Sequence, residues 1–362
     1  MKKYTLPEYP VTEDMWDKLS HESRPIVVYG MGNGADKLFS HFEKYGITPA
    51  EVFASDGFVR GHSFRGYKVK SFSEIKEEYP EFVIVLSFAS NRDDVIEMLS
   101  DIDEKYEMYV PDMPVADESE YFDREFYNAH YEDILSAYSL LSDEESKKIF
   151  ALTVNYKLSG KLSYLLDLYT EKADMYSLIS QKDIKVMIDG GAYNGDTARE
   201  AVEYFPSISE IYAVEPDKKT FRRLLKYTDS APVKIIPINA ALYSESRSGE
   251  FFSSGNRNST ALATASYENK SESISFITVD SLGISPDYIK YDVEGAEYEA
   301  ILGSLETVKR CSPVLLVSLY HRSRDVFFLP LLLKKELTGY RFYLRRLRSV
   351  PAWELNLILI PT

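Results

Sequence analysis

The sequence has few of the features that mark secreted or membrane proteins. Only one of its 362 residues is a cysteine, Cys311, so an intrachain disulfide is excluded and a reducing compartment is favoured. The longest apolar run, 327–333, is too short to span a bilayer. Two lysines follow Met1 but no apolar segment comes after them, which is unlike a signal peptide. We therefore expect a cytoplasmic protein without membrane insertion.

The sequence also has no excess of basic residues over acidic ones. The chain carries 42 lysines and arginines against 57 aspartates and glutamates, a net charge of −15. Because nucleic acids and anionic membranes repel such a chain, neither is expected as its main partner. Arg345, Arg346 and Arg348 form a local basic cluster. With 44% apolar residues, the chain is long enough for two domains that each bury a core.

The first 113 residues alternate short apolar runs with helical segments. We predict strands at 26–29, 51–56, 82–87 and 107–110. The spacing also predicts a helix over 91–100 with Asn91 as its N-cap. Because this alternation is typical of a parallel sheet covered by helices, we interpret 1–113 as a small Rossmann-like α/β domain.

A glycine-rich loop follows the first of these strands. It matches G-x-G-x-x-A at Gly30, Gly32 and Ala35, and Asp56 ends the second strand, where Rossmann-like units hold a ribose. The stretch 61–69 resembles a turn in the N-terminal domains of bacterial sugar-modifying enzymes, such as sialic-acid-type acetyltransferases. That resemblance implies a site for a nucleotide-sugar or another substrate. The alternative is a domain of the same topology that holds no nucleotide.

Residues 114–183 are predicted to form an acidic linker and a helical connector. The charged run 116–120 is typical of a solvated segment. Apolar and tyrosine residues then recur at helical spacing. Asp143 with two glutamates behind it is typical of a helix start and Gly160 of a helix end, so two or three helices are expected. The tyrosines are interpreted as packing residues, and a lid that stacks on an acceptor is the alternative.

A second glycine-rich loop organises the rest of the chain. An apolar run ends in Asp189, glycines follow at 190, 191 and 195, and a helix begins near Thr197. Glycines let a ligand lie against the main chain. The next predicted strand ends in Glu215, about 20 residues after the last of these glycines, where Rossmann-like units hold a ribose diol. A nucleotide site is therefore predicted here.

The charges around this second loop distinguish between nucleotides. Asp189 precedes the glycines and Asp196 opens the helix. A carboxylate suits the positive end of a helix dipole but repels the pyrophosphate that dinucleotide-binding helices hold there. It suits the ammonium or sulfonium of S-adenosylmethionine (SAM). The sequence therefore favours SAM over NAD.

Three acids, Asp292, Glu294 and Glu297, follow another predicted strand. In an open α/β sheet this end of a strand faces the ligand crevice, where acids could hold a hydroxyl, act as a general base or bind a metal. Glu297 could equally cap the next helix. No full set of metal ligands is evident, so no metal is predicted. His321 ends the following strand and is the natural base near neutral pH.

Together, these motifs resemble the FkbM family of SAM-dependent methyltransferases over residues 184–362, about half of the chain. The segments that carry the resemblance are 189–192, 194–197, 214–217, 279–282, 289–297, 318–321 and 343–346. The family implies a class I methyltransferase fold, a Rossmann-like seven-stranded sheet with a reversed last strand. Predicted terminal strands at 340–345 and 355–360 fit this fold. The family also implies methyl transfer to hydroxyl oxygens of sugars or polyketides.

The expected fold class is α/β, with a methyltransferase domain, a smaller N-terminal Rossmann-like domain and a helical connector. The residues predicted to bind SAM are Asp189, Gly190, Gly191, Ala192, Asn194, Gly195, Asp196, Glu215, Pro216, Asn239, Ala240 and Asp292. His321 is the first candidate for the catalytic base, followed by Asp292 and Glu294. The expected acceptor is a small hydroxyl compound such as a sugar or nucleotide-sugar, in bacterial glycan modification, and a homo-oligomer stays open.

Three other functions are compatible with the sequence. An NAD(P)-dependent sugar-modifying enzyme would use the first glycine loop and would need a Tyr-x-x-x-Lys pair near the cofactor. A non-catalytic sensor would bind SAM or a nucleotide-sugar without turnover. A scaffold would dock a glycosyltransferase through the N-terminal domain. Binding and turnover measurements distinguish these functions from the methyltransferase.

Overall fold

Two large sheets and a helical segment between them form the computed structural model, which describes residues 4–59, 61–116, 120–253 and 270–362. The N-terminal region contains the strands β1 Ile26–Tyr29, β2 Glu51–Ala54, β3 Ser63–Phe64, β4 Tyr67–Lys68, β5 Lys70–Ser71, β6 Val83–Leu86 and β7 Met108–Tyr109. Its helices are α1 Met15–Ser20, α2 Asn33–Tyr45, α3 Phe72–Glu78 and α4 Asp93–Asp103, with a 3-10 turn at Asp56–Phe58.

The N-terminal sheet has five parallel strands in the order β5-β2-β1-β6-β7. Strands β1 and β6 are buried along their whole length, which explains their continuous apolar runs. One predicted boundary is wrong: α4 begins at Asp93, and its N-cap is Arg92 rather than Asn91. Asp93 and Asp94 suit the positive end of this helix. The domain boundary at residue 113 stays a prediction.

The connector contains more helices than the spacing predicts. Its five helices are α5 Arg124–Ala129, α6 Tyr131–Leu140, α7 Glu144–Ser159, α8 Leu162–Asp167 and α9 Lys172–Ile179. The Asp143 side chain accepts the Ser146 N–H at the start of α7, and Gly160 ends it with φ +62°. Tyr127 and Tyr156 are fully buried, as expected for packing residues.

The C-terminal region contains the larger sheet. Its strands are β8 Val186–Gly190, β9 Glu210–Val214, β10 Lys234–Ile238, β11 Ala240–Leu242, β12 Arg247–Ser253, β13 Lys270–Ile277, β14 Tyr288–Tyr291, β15 Val314–Ser318, β16 Tyr340–Arg346 and β17 Leu355–Pro361. Its helices are α10 Asp196–Tyr204, α11 Lys218–Thr228, α12 Glu297–Leu302, α13 Leu305–Cys311 and α14 Asp325–Glu336, with a 3-10 turn at Asp280–Leu282.

Seven of these strands form one sheet in the order β10-β9-β8-β14-β15-β17-β16. The first five are mutually parallel, and β17 runs antiparallel to both of its neighbours. The predicted seven-stranded sheet with a reversed last strand is confirmed. The ends of β8, β9, β14 and β15 therefore lie at one edge of the sheet.

A small sheet, β11-β13-β12, flanks the larger one, and β12 pairs antiparallel with β13. In the sequence, the segments 251–252, 255–261 and 276–280 predict a hairpin-like insertion beside the ligand, and this pairing agrees with a hairpin. The glycine-containing segment predicted at its tip, 255–261, lies outside the described residues.

The loop between β16 and β17 reaches into the N-terminal region. Val350 and Ala352 pack in one core with side chains of β1, β2 and β6. Val350 and Ser90 exchange two backbone hydrogen bonds of 2.9 and 2.7 Å. These contacts bring the residues that follow β6 close to the open edge of the C-terminal sheet. In the described part of the chain, no helix has the length and apolar character needed to cross a membrane.

Candidate functional site

A cavity of about 610 Å³ lies at the carboxyl ends of the parallel strands in the C-terminal sheet. This edge is where open α/β sheets bind ligands. The predicted site residues that line it are Gly191, Asp196, Glu215, Pro216, Ala240, Asp292 and Glu294. Its size is within the range of small-molecule sites.

The loop after β8 requires glycine for two separate reasons. Gly191 has a φ of +80°, and a Cβ at this position would lie 1.9 Å from the Asp292 carbonyl oxygen. Gly195 has a φ of +85°, and a Cβ there would lie 2.8 Å from the Tyr227 ring. The backbone N–H groups of Gly191 and Ala192 both donate to the Val214 carbonyl at 3.0 Å. The loop therefore lies close against the ends of β9 and β14.

Asp189 lies behind this loop rather than on the cavity wall. It is fully buried, and neither carboxylate oxygen has a hydrogen-bond partner among the described residues. The nearest cation is the Lys290 ammonium, 3.9 Å from Oδ1. Burial raises the pKa of Asp189 to about 7, against the opposing effect of Lys290. A buried acid without a donor is expensive, which indicates a role beyond packing.

Glu215 ends β9 and lines the cavity. Its two oxygens accept the backbone N–H groups of Tyr193 and Asp217 at 2.9 and 2.8 Å. Burial still raises the pKa of Glu215 to about 8. Because each oxygen has more than one lone pair, the carboxylate can accept further hydrogen bonds from a ligand.

Asn239, which was predicted to bind the cofactor, has hydrogen-bond partners inside the protein. Its side-chain amide donates to the carbonyl oxygens of Glu215 and Pro216 at 2.8 and 3.1 Å. Asn239 is not part of the cavity wall, so it orients the segment that carries Glu215. Gly190, Ala192, Asn194 and Gly195 also lie outside the wall and shape the loop.

Asp292 is held as an anion by three donors. Ser318 and Tyr320 donate to Oδ1 at 3.0 and 2.9 Å, and Lys290 donates to Oδ2 at 2.9 Å. Burial acts to raise its pKa, but the Lys290 and His321 charges outweigh it and hold the pKa well below the usual value. A carboxylate this acidic and this fully hydrogen-bonded is a poor base.

Glu294 is better suited to accept a proton. Its side chain lines the cavity, and its backbone has a φ of +54°, a conformation that is uncommon outside glycine and clusters at functional sites. Burial raises the pKa of Glu294 to about 8, while the charge of His321 opposes the rise. A carboxylate with a pKa near 8 is matched to general base catalysis close to neutral pH.

His321 lies behind these acids and is fully buried. Nδ1 lies 2.9 Å from a Glu297 oxygen, in a short contact whose angle does not suit a hydrogen bond. Nε2 lies 3.6 Å from Glu294 and 3.7 Å from Asp292. Burial lowers its pKa, but the surrounding carboxylates outweigh burial and raise the pKa to about 10. The ring is therefore an imidazolium at neutral pH, and Glu294 replaces His321 as the first candidate for the base.

Asp292, Glu297 and His321 could also hold a divalent cation, since one ligand atom from each lies within 4.8 Å of the others. Metal binding would require a neutral imidazole, whereas the carboxylates favour the protonated ring. Glu297 also accepts the Val293 N–H at 2.8 Å, from the segment before α12, and its capping role stays a prediction.

Sequence reasoning missed Lys290, Tyr320 and the outer wall of the cavity. Lys290 could have been found, because a lysine two residues before an acid in an apolar strand shares its face and predicts a buried pair. The outer wall comes from separate regions of the chain: Asn91, Asp93, Tyr169, Lys172, Tyr176, Arg348 and Glu354. No local motif marks these residues.

The first glycine loop has different surroundings. A Cβ at Gly30 would lie 2.6 Å from the Ser87 hydroxyl, and one at Gly34 would lie 2.1 Å from the Ser87 carbonyl, so packing explains both. Asp56 is exposed and accepts the Ser73 hydroxyl and N–H at 2.7 and 3.2 Å. These residues have internal partners, and a nucleotide site here stays a prediction.

Comparison with protein families gives one match. Residues 189–342 match the methyltransferase FkbM domain, as predicted from the sequence motifs. Comparison with curated proteins gives no match. Over these residues the chain is therefore similar to methyltransferases of the FkbM family.

Comparison with solved structures shows a likeness of fold over 93% of the chain. Methyltransferase FkbM from Methylobacillus flagellatus KT aligns with a TM-score of 0.69 over 93% of this chain and 90% of that chain, at 15% identity, which shows a shared fold. An rRNA methylase from Streptococcus thermophilus aligns at a TM-score of 0.35, with 10% identity, over 54% of this chain and 98% of that chain. Fibrillarin from Aeropyrum pernix, solved with natively bound SAM, aligns at a TM-score of 0.30, with 16% identity, over 49% of this chain and 66% of that chain.

Proposed function

We propose that this chain transfers the methyl group of SAM to a hydroxyl oxygen of a small molecule such as a sugar. One observation carries the proposal. The Gly191 loop, Glu215 and Glu294 line a single cavity at the ligand-binding edge of a class I methyltransferase sheet. The glycine loop, the acid proposed to bind ribose and the proposed base therefore line one cavity.

The residues of this cavity fit SAM. At Gly191 a Cβ would meet the Asp292 carbonyl, so glycine lets the main chain lie against β14 and line the cavity there. Glu215 has the acceptor capacity for ribose hydroxyls, and Ala240 beside Pro216 offers a small surface for a flat base. Asp189 and Asp196 surround the loop with negative charge that suits an ammonium group. Burial raises the pKa values of Asp189 and Glu215, which agrees with buried acids whose charged form a bound ligand would stabilise.

When bound, SAM supplies an electrophilic methyl group on a sulfonium. The protein's own work is then to orient the acceptor hydroxyl and to take its proton, and orientation alone supplies a large share of the rate. Glu294 is the group on the cavity wall with a pKa suited to that proton.

Three neighbours keep Glu294 in position. The His321 imidazolium, 3.6 Å away, stabilises the carboxylate form that accepts the proton. Glu297 in turn lies against the other side of the imidazole, at 2.9 Å. Asp292, held by Lys290 and Tyr320, fixes the end of β14 just before Glu294. His321 is thus proposed as a positioning residue rather than the base.

The test is to incubate the protein with SAM and a set of hydroxyl compounds, following S-adenosylhomocysteine by chromatography and the methyl ether by mass spectrometry. The proposal expects both products in equal amounts from one acceptor, and neither from Glu294→Gln. Saturable binding of SAM without turnover of any acceptor would instead favour the non-catalytic binding protein.

A further inference from the structure

The charged side chains that line the cavity indicate which charge the methyl acceptor carries. Nine acidic side chains line it, against three cationic ones, those of Lys172, Lys290 and Arg348. Burial raises the pKa of two of these acids, Glu215 and Glu294, to about 8, and the seven others still outnumber the cations. Each cation already contacts a carboxylate of the same wall: Lys172 pairs with Glu200 at 2.5 Å, Lys290 with Asp292 at 2.9 Å, and Arg348 with Asp93 at 2.6 Å. The excess of carboxylates gives the cavity a negative potential that its own cations do not cancel.

Part of this excess lies on the outer wall. Glu354 belongs to the loop between β16 and β17, and its charge acts on both Lys172 and Tyr320. Its backbone has a φ of +59°, so it shares with Glu294 a conformation that is rare outside glycine. Two strained positions that both bring a carboxylate to one cavity favour a functional role for that charge. Glu171, at the start of α9, adds a further acid to the same wall.

Aromatic rings supplement the carboxylates. The tyrosines that line the cavity are Tyr169, Tyr176, Tyr193 and Tyr320. The faces of such rings attract cations, most strongly where water is excluded. Tyr176 and Tyr320 donate their hydroxyls to Glu200 and Asp292, at 2.6 and 2.9 Å, and these bonds fix the orientation of the two rings.

We propose that the acceptor carries a protonated amino group beside its hydroxyl, and that phosphate-bearing acceptors, nucleotide-sugars among them, are rejected. The inference rests on the methyltransferase function proposed above. Carboxylates and aromatic faces hold the ammonium group, while the same carboxylates repel a phosphate. An amino sugar is the simplest compound of this class.

The basic cluster near the C-terminus does not oppose this inference. Arg345 pairs with Asp143 at 2.7 Å, and Arg346 is buried and donates to backbone carbonyls of α8 and the segment after it. Arg348 is the one member of the cluster on the cavity wall, and its guanidinium pairs with Asp93 and lies 5.6 Å from the Tyr169 ring. The cluster is therefore part of the fold rather than an anion site.

The test measures the potential inside the cavity without a known acceptor. Met175 lines the cavity and Met31 lies in the first glycine loop, so their methyl groups report on two places in one molecule. With the methionine methyls ¹³C-labelled and S-adenosylhomocysteine and EDTA present, line broadening by a cationic nitroxide is compared with that by its anionic and neutral analogues. Met175→Leu and Met31→Leu assign the signals.

For each methyl signal, the broadening by the cationic probe is divided by the broadening by the anionic probe. We expect this ratio to be at least about threefold larger at Met175 than at Met31, because clefts focus the electric field. Glu171→Gln combined with Glu354→Gln should reduce this ratio, while Glu203→Gln, at an exposed position of α10, should not. Equal broadening by both probes, or stronger broadening by the anion, would overturn the inference.

Binding of S-adenosylhomocysteine, measured first, separates the two levels of the proposal. If the folded protein does not bind it, the methyltransferase function fails and the acceptor inference fails with it. If the protein binds S-adenosylhomocysteine but the cationic probe does not broaden the Met175 signal preferentially, only the inferred acceptor class is wrong.

Discussion

The chain contains two glycine loops that share a pattern and differ in their surroundings. Each follows a buried parallel strand, opens a helix and is succeeded by a strand that ends near an acid, Asp56 in one case and Glu215 in the other. Asp56 is exposed, and hydrogen bonds from Ser73 hold its pKa below the usual value. Glu215 is buried, and burial raises its pKa to about 8.

The difference extends to the residue before each loop. At the first loop this residue is Tyr29, whose hydroxyl contacts Ser55. At the second it is Asp189, buried without a hydrogen-bond partner among the described residues. In the first region internal partners therefore hold the loop and its acid, whereas the second loop lies beside a buried acid without a hydrogen-bond partner among the described residues, a cost that a ligand can offset.

The strongest contrast between the loops is expected from their glycines. Gly191→Val places a Cβ into the Asp292 carbonyl at a φ of +80°, and should weaken S-adenosylhomocysteine binding at least about 100-fold and lower the melting temperature. Gly32→Ala is the matched control, since a Cβ there meets no atom within 4 Å. Calorimetric titration and thermal melts check both. Normal binding by Gly191→Val would refute the assignment of this loop as the cradle.

A buried acid with a raised pKa should also be visible in turnover. Because the base must be deprotonated and the pKa of Glu294 is about 8, kcat should rise with pH up to about that value and then level off. Glu294→Gln should lower kcat about 100-fold or more and remove the rise. Glu203→Gln, on an exposed face of α10, serves as the control. A pH profile unchanged by Glu294→Gln would assign the base elsewhere.

The two regions also contain contrasting buried histidines. Carboxylates raise the pKa of His321 to about 10, so its stabilisation is present below about pH 6.5 and is lost as the pH rises toward 10. His321→Gln should therefore lower the free energy of unfolding by about 3 kcal/mol at pH 6 and by less at pH 9. Denaturant unfolding at several pH values measures this.

His41 in the N-terminal region is the control for that experiment. Burial lowers its pKa to about 3, so it is neutral when folded, and its stabilisation is present above about pH 6.5 and lost as the pH falls. The cost of His41→Gln should not decrease between pH 6.5 and 9. If both variants showed the same pH dependence, the imidazolium assignment of His321 would be wrong.

The smallest effects are expected on protein stability when Asp189 or Asp56 is replaced by asparagine. The pKa of Asp189 is about 7 when folded, so the protein loses stability as the pH rises from about 4 to 7. Asp189→Asn removes that penalty and should stabilise the ligand-free protein by about 1 kcal/mol at pH 8.5. Asp56→Asn should lower stability by about 0.5 kcal/mol or less, since water screens this exposed site. Thermal melts at pH 5 and 8.5 check both variants. A lower melting temperature for Asp189→Asn at both pH values would contradict the expectation for Asp189.

The sheet and the inner half of the site were predictable because their signals are local. Asp189, Gly191 and Glu215 lie in one stretch of chain, and topology brings the end of β14 beside them, so motif order was sufficient. The reversed β17 was predictable for the same reason, since two terminal apolar runs follow the last parallel strand.

The rest depends on contacts between distant segments. The outer wall requires the loop that carries Glu354 to pack against the region after β6, which no spacing encodes. The charge state of His321 could not be predicted, because residue type gives a pKa near 6.5, whereas three carboxylates around the buried ring raise it. Asn239 lies at the predicted place, but its amide is used by neighbouring carbonyls.

The most direct test of the central claim is a calorimetric titration of S-adenosylhomocysteine into the wild type, Glu215→Gln and Asp56→Asn. The claim is that the C-terminal loop, and not the N-terminal one, holds the cofactor. We predict saturable binding by the wild type, binding about tenfold weaker or worse for Glu215→Gln, and no change for Asp56→Asn. A folded wild type that does not bind, or a loss of affinity confined to Asp56→Asn, would contradict it.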